Sequence, residues 1–215
     1  MTNVMAKAIK ISEHIYAVII VNVLFLITNC LFFQIFFSID FKPVFFPLYF
    51  LVSLPVLPSV ISSFQTVKEF LSGNSEGYIR SYFLHLKKIV SKNGKWLFWL
   101  PLLMFVTLFN LYSITVSNPL LLLLFSANLV LLLGESLLAV NCVFVSLRNE
   151  NSCLVVEATR TLFSNSLIVC IGVVITIAMT WLLFKISFFS WLFVFGIQIY
   201  GWAWFHHLSL NTRKE

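Results

Sequence analysis

Hydrophobic positions along this chain run together in blocks of about twenty, separated by short polar breaks. A helix crossing a bilayer needs blocks of that length. The pattern predicts spans over about 15–37, 44–67, 96–116, 120–147, 166–185 and 188–208. The second contains Pro47, Pro55 and Pro58, so it should kink or break near Ser53–Ser59. The third carries Pro101 in its first two turns, and Ser117-Asn118-Pro119 makes a turn into the fourth. Ser187–Ser190 is a thin separator, leaving the last two spans either a tight hairpin or one bent segment. The expected fold is all-α: a polytopic integral membrane helix bundle forming a single domain over 1–215.

The longest polar stretch is Lys68–Lys95. Ser72-Gly73-Asn74-Ser75-Glu76-Gly77 reads as a helix stop and loop. Beyond it, residues 78–92 have amphipathic helix spacing: Tyr78, Tyr82, Leu86 and Ile89 form a stripe, with Arg80, Lys87, Lys88 and Lys92 on other faces. Such a helix either lies against the cytoplasmic leaflet, packs beneath the bundle, or docks a partner protein. A shorter amphipathic piece at Leu154–Phe163 echoes it before the fifth span.

Charge gives the chain a direction. Twelve basic residues (Lys7, Lys10, Lys68, Arg80, Lys87, Lys88, Lys92, Lys95, Arg148, Arg160, Arg213 and Lys214) fall on the N-terminal side of the membrane, and only Lys42 and Lys185 on the other. That imbalance predicts a cell-membrane protein with both termini cytoplasmic. Composition agrees: 60% of residues are hydrophobic and 10% charged, too few to cover a water-facing surface. The +6 net charge is dispersed between spans, so it marks topology and not nucleic-acid binding. Cys30, Cys142, Cys153 and Cys170 show no metal-ligand spacing and are expected to be reduced. The long apolar stretch after Met1–Lys10 argues against a cleaved signal peptide.

Two segments resemble a known family. Leu57-Pro58-Ser59-Val60-Ile61-Ser62-Ser63-Phe64-Gln65-Thr66-Val67-Lys68-Glu69-Phe70-Leu71-Ser72-Gly73 is similar to the second-span signature of YesL-like membrane proteins. Glu76-Gly77-Tyr78-Ile79-Arg80-Ser81-Tyr82-Phe83-Leu84-His85-Leu86-Lys87-Lys88 resembles that family's aromatic and basic cytoplasmic helix. The match is best over about 50–100. A glycine common near the family's proline motif is absent here, and Pro55 is added. The resemblance implies a bacterial integral membrane protein in a carbohydrate-uptake context. It implies no mechanism.

One acid stands apart. Glu135 lies near the middle of Leu120–Leu147, where a charged side chain costs about 2.5–3.5 kcal/mol on insertion scales. On a helix it shares a stripe with Asn128, Cys142 and Ser146, and that stripe should face protein or water. No Lys or Arg lies at its depth, so the carboxyl is expected to be neutral. Complementary polar groups are Asn22, Asn29 and Gln34 in the first span, Asn110 in the third and Gln198 in the sixth. Glu135 either fastens helices or serves as a proton, cation or substrate contact. Likewise, Pro55 and Pro58 either kink a packed helix or open carbonyls for a transport site.

His206 and His207 suit an aromatic interfacial belt, and His14 and His85 sit at cytoplasmic edges. The chain has no HExxH, GxSxG, Walker loop or paired acidic motif, so neither enzyme activity nor a cofactor is expected. The expected function is a non-enzymatic accessory or regulatory role linked to carbohydrate uptake, with a membrane-transport or cytoplasmic protein as partner. The alternative is a small-solute or proton-coupled transporter with a polar path near Glu135.

Overall fold

Long apolar blocks become long helices when every backbone group must find its partner within its own segment. A computed structural model describes residues 2–40, 42–73, 77–114, 119–148, 154–186, 193 and 195–203. It is all-helical, with no strand among the described residues. The elements are α1 (Thr2–Thr28), α2 (Cys30–Ser38), a 3-10 turn (Pro43–Phe45), α3 (Phe46–Ser53), α4 (Val56–Leu71), α5 (Tyr78–Ser113), α6 (Pro119–Arg148) and α7 (Leu154–Ile186). A further helical stretch occupies 195–203.

Among the described residues, four stretches are long and apolar enough to cross a membrane: Ile11–Thr28, Pro43–Leu71, Tyr78–Ser113 and Pro119–Ser146. They fit a membrane protein. They also correspond to the first four of the six expected spans. The fifth falls within α7, and the sixth is described only at 193 and 195–203. The Ser187–Ser190 separator, His206, His207 and Cys153 lie outside the described residues.

The amphipathic helix expected over 78–92 is not a separate element. It is the first part of α5, whose 36 residues run on without a break. At 1.5 Å per residue that is about 54 Å, well beyond a hydrocarbon core of about 30 Å. The polar Ser91-Lys92-Asn93-Gly94-Lys95 holds one glycine and no proline. A single interior glycine costs about 1 kcal/mol relative to alanine, too little to end a helix packed on both sides of it. Asn93 is itself tied down, its side-chain oxygen accepting the Leu154 backbone N–H at 3.2 Å. Pro101 consequently sits deep inside α5 and not in a first turn. The Leu154–Phe163 piece is absorbed in the same way, into the 33 residues of α7.

Two helices are interrupted. The first span divides at Asn29, whose side-chain amide donates back to the Phe25 carbonyl at 2.8 Å. Such a bond competes with the helix ladder and bends it. The second divides at Leu54–Pro55, within the expected region. Pro55 and Pro58 remove the N–H groups that would close on the carbonyls of Leu51 and Leu54. α4 stops at Leu71, and Gly73 follows with φ +78°, the left-handed geometry that ends helices.

His14 on Phe70 and Tyr16 on Tyr78 join α1 to the α4–α5 turn, and Asn93, about 22 Å further along α5, meets the start of α7; most of the basic residues lie on these segments, the basic end of the molecule. The buried core lies toward that basic end and includes Val21, Ile61, Val67, Ile89, Cys142 and Ala158. α6 is buried from Asn141 to Val143 and at Val145 and Ser146, whereas none of its residues from Pro119 to Val140 is. At the opposite end Phe46 packs edge-on against Phe105, Phe109 and Tyr112, fixing α3 to α5.

Candidate functional site

The expected polar residues do not form one site; they separate into distinct places. Glu135 meets α5, where the Thr107 hydroxyl donates to its carboxyl at 3.1 Å. Its second carboxyl oxygen is buried and has no hydrogen-bond partner among the described residues. Nearer the α5–α6 connection, by one turn of α5 and two of α6, the Asn110 amide reaches the Asn128 carbonyl oxygen at 3.5 Å. Asn110, one of the complements proposed from sequence, therefore sits on the Glu135 seam. Asn22 and Asn29 make their contacts elsewhere.

Asn22 accepts the Gly196 backbone N–H at 2.8 Å, joining α1 to the 195–203 stretch. A side chain at Gly196 would meet the Val18 carbonyl at 2.6 Å and the Asn22 Cβ at 2.7 Å, so only glycine allows this approach. Phe25 on Phe195 and His14 against Tyr200 complete that contact. Gln198 is the polar residue in the wall of an otherwise apolar cavity of about 300 Å³, lined by Phe64, Val143, Phe144, Phe195 and Trp202 among others. Gln34 is exposed on α2.

Asn29 is fully buried at the break between α1 and α2. Its amide donates to Ser59 Oγ at 2.7 Å, one residue beyond Pro58, so the two interrupted helices meet there. Tyr82 from α5 closes the group, donating to Thr28 Oγ1 at 2.9 Å. Sequence reasoning singled out Asn29, Pro55 and Pro58 but placed Tyr82 in an amphipathic stripe and gave the serines no role. Ser59, Ser62, Ser63 and Thr66 at helical spacing before Glu69 were the available signal.

At the basic end, Glu69 is held by two α5 side chains. Ser81 Oγ donates to its carboxylate, and His85 Nε2 lies 2.9 Å away. The His85 side chain is 9% exposed and that of Glu69 37%, so the pair borders solvent. Sixteen residues and a turn separate the partners, and the sequence alone gave no reason to join them. Arg80, Lys87, Lys88 and Lys92 project from α5 as exposed residues on this same section. Another missed contact is Asn141, fully buried, whose amide donates to the Ala158 carbonyl at 2.6 Å and to Thr161 at 3.2 Å, fastening α6 to α7.

Chemically, these places can bind, orient and fasten. Among the described residues no group of three or more His, Cys, Asp or Glu is arranged to hold a metal ion. Among the described residues, Cys30, Cys142 and Cys170 are not joined in a disulfide. Comparison with family models, with curated proteins and with solved structures returns no match to this chain.

Proposed function

We propose that this chain is an integral membrane protein of the cell membrane, with six spans and both termini cytoplasmic, acting as a non-enzymatic accessory or regulatory subunit. The observation that carries this reading is α5. Its first fifteen residues present Arg80, Lys87, Lys88 and Lys92 outward from a helix continuous with a membrane-crossing segment. A basic, rigid extension is suited to meeting an acidic protein face or anionic lipid at the cytoplasmic surface. The resemblance over about 50–100 supplies the context: a YesL-like bacterial protein associated with carbohydrate uptake, whose partner is a subunit of an uptake system.

Crosslinking in native membranes followed by purification tests this. The wild-type chain should bring down carbohydrate-uptake subunits, and the Arg80→Ala, Lys87→Ala, Lys88→Ala triple variant should lose them while inserting and melting normally. Recovery of the same subunits by the triple variant refutes the reading.

A second reading, a small-solute or proton-coupled transporter, is favoured by the Glu135–Thr107 contact and by the two interrupted helices. Proteoliposome flux abolished by Glu135→Gln, with expression and fold intact, supports it; unchanged flux removes Glu135 from any path.

A further inference from the structure

We propose that the cavity between α4, α6, α7 and the 195–203 stretch holds one acyl chain of a membrane phospholipid, whose phosphate is met by Lys185. The void is about 300 Å³, and its walls include Val60 and Phe64 from α4, Val143 from α6, Ile177 from α7, and Gln198 beside Ile199. None of the described residues lining it is charged, and Gln198 is the polar one. Protein interiors pack tightly, and a void this large left empty forfeits the contacts its walls would make. Water is a poor filler, since each buried molecule needs about two to four polar partners and the walls offer little beyond the Gln198 amide. The occupant that fits is hydrocarbon.

Its shape favours a chain. Val143 and Ile199 are buried, whereas Ile177 is exposed, so the cavity runs from a floor inside the bundle to a rim on the open surface of α7. These two ends are well separated. Asn141 holds the Ala158 carbonyl at 2.6 Å, and Ile177 lies nineteen residues beyond Ala158 on unbroken α7, about 28 Å along the helix. Val143 is two residues from Asn141, which leaves its Cα at least about 14 Å from that of Ile177. A void of about 300 Å³ drawn out between them is slender.

A headgroup contact continues the same line. Val173, Ile177, Trp181 and Lys185 recur every fourth residue and form one stripe of α7. Val173 and Ile177 line the cavity, Trp181 and Lys185 are exposed, and the Lys185 ammonium sits 4.3 Å from the centre of the Trp181 ring. The stripe thus passes from cavity to aromatic ring to cation, matching the order of chain, glycerol ester and phosphate in a phospholipid. Lys185 is about 12 Å along the helix from Ile177, less than the roughly 15 Å depth of one leaflet's hydrocarbon, so a chain anchored there has length left to enter. A free fatty acid offers the same chain, but phospholipid is the fluid that bathes the rim. This inference takes from the proposed function only the membrane placement of α7, not the accessory role.

The test uses the full chain in nanodiscs containing a phospholipid with a photoactivatable diazirine near the end of one chain, and maps the crosslinked residues by mass spectrometry. The cavity walls at 140–144 and 195–202 should be labelled well above Val130 and Leu133, which are exposed on α6. Val60→Phe and Val143→Phe each fill part of the void and should lower wall labelling about tenfold. Val60 is half-buried, so its variant tests the cavity even where Val143→Phe fails to fold. Lys185→Gln should lower wall labelling about threefold, and Val130→Phe should leave it unchanged. Label confined to exposed α6 would overturn the proposal. Wall labelling that survives both filling variants would put the chain elsewhere and overturn the site. Wall labelling unchanged in Lys185→Gln would overturn the phosphate contact. Labelling of the walls by a free fatty acid carrying the same diazirine, but not by the phospholipid, would overturn the source of the chain. No readout here involves a partner protein, so failure leaves the accessory reading intact.

Discussion

Gly196 shows how far one missing side chain can decide a contact. Its backbone comes close enough to α1 for Asn22 to accept its N–H, and a methyl group there would overlap Val18 and Asn22. Gly196→Ala should therefore destabilise the protein by about 1–3 kcal/mol, the usual range for overpacking. A denaturant titration in mixed micelles measures this; a change below about 0.5 kcal/mol would mean that the 195–203 stretch does not rest on α1 as described. Glu135 makes the opposite case. Glu135→Gln retains an acceptor for Thr107, and interhelical hydrogen bonds in membranes average only about 0.6 kcal/mol. Its stability should stay within that margin in the same titration, and a loss of several kcal/mol would show that the carboxyl does more for the bundle than this contact.

What the sequence disclosed at this scale was the presence of unusual residues, not their partners. Glu135, Asn29 and Pro58 were visible as polar or helix-breaking groups in apolar runs. That Asn29 would find Ser59 depended on the angle at which two bent helices cross, which no periodicity encodes. Tyr82 was misleading because a tyrosine counts as apolar in a helical stripe, while here its hydroxyl is the part that matters. Glu69 and His85 became neighbours only once the α4–α5 turn was formed.

At the level of the element, the first four hydrophobic blocks fall on helices long and apolar enough to cross a membrane, but the ends of those helices lie elsewhere than the blocks predict. Block length is a property of composition, and composition follows the solvent. Helix ends follow local competition. The 78–92 stretch looked separate because its polarity changes abruptly at Lys92–Lys95, yet a polarity change does not stop a helix unless proline or a left-handed residue accompanies it. Continuity is measurable. Spin labels at Ile79 and Phe109, both exposed, should give a distance near 45 Å, being thirty residues at 1.5 Å each, shortened slightly by any bend at Pro101. A broad distribution centred well below 40 Å would mean that α5 is hinged, and would restore the separate amphipathic helix.

For the molecule as a whole, the positive-inside pattern predicts which side of the membrane the basic segments occupy, and a single labelling position tests it. Replacing Lys87 with cysteine in a background lacking native thiols supplies the check. The new thiol should react with an impermeant maleimide only after the cells are opened. Labelling on intact cells would invert the topology and move the Arg80–Lys92 face to the outside.

From Pro119 to Val140, α6 has no residue that its own chain buries, while the same helix is enclosed near Asn141. This stretch of α6 therefore borrows much of its surroundings from the fluid around it. Acyl-chain length should tune the splay of the α5–α6 hairpin in a way that no mutation in the core can imitate, and stripping the lipid should loosen that stretch while the basic end keeps its shape.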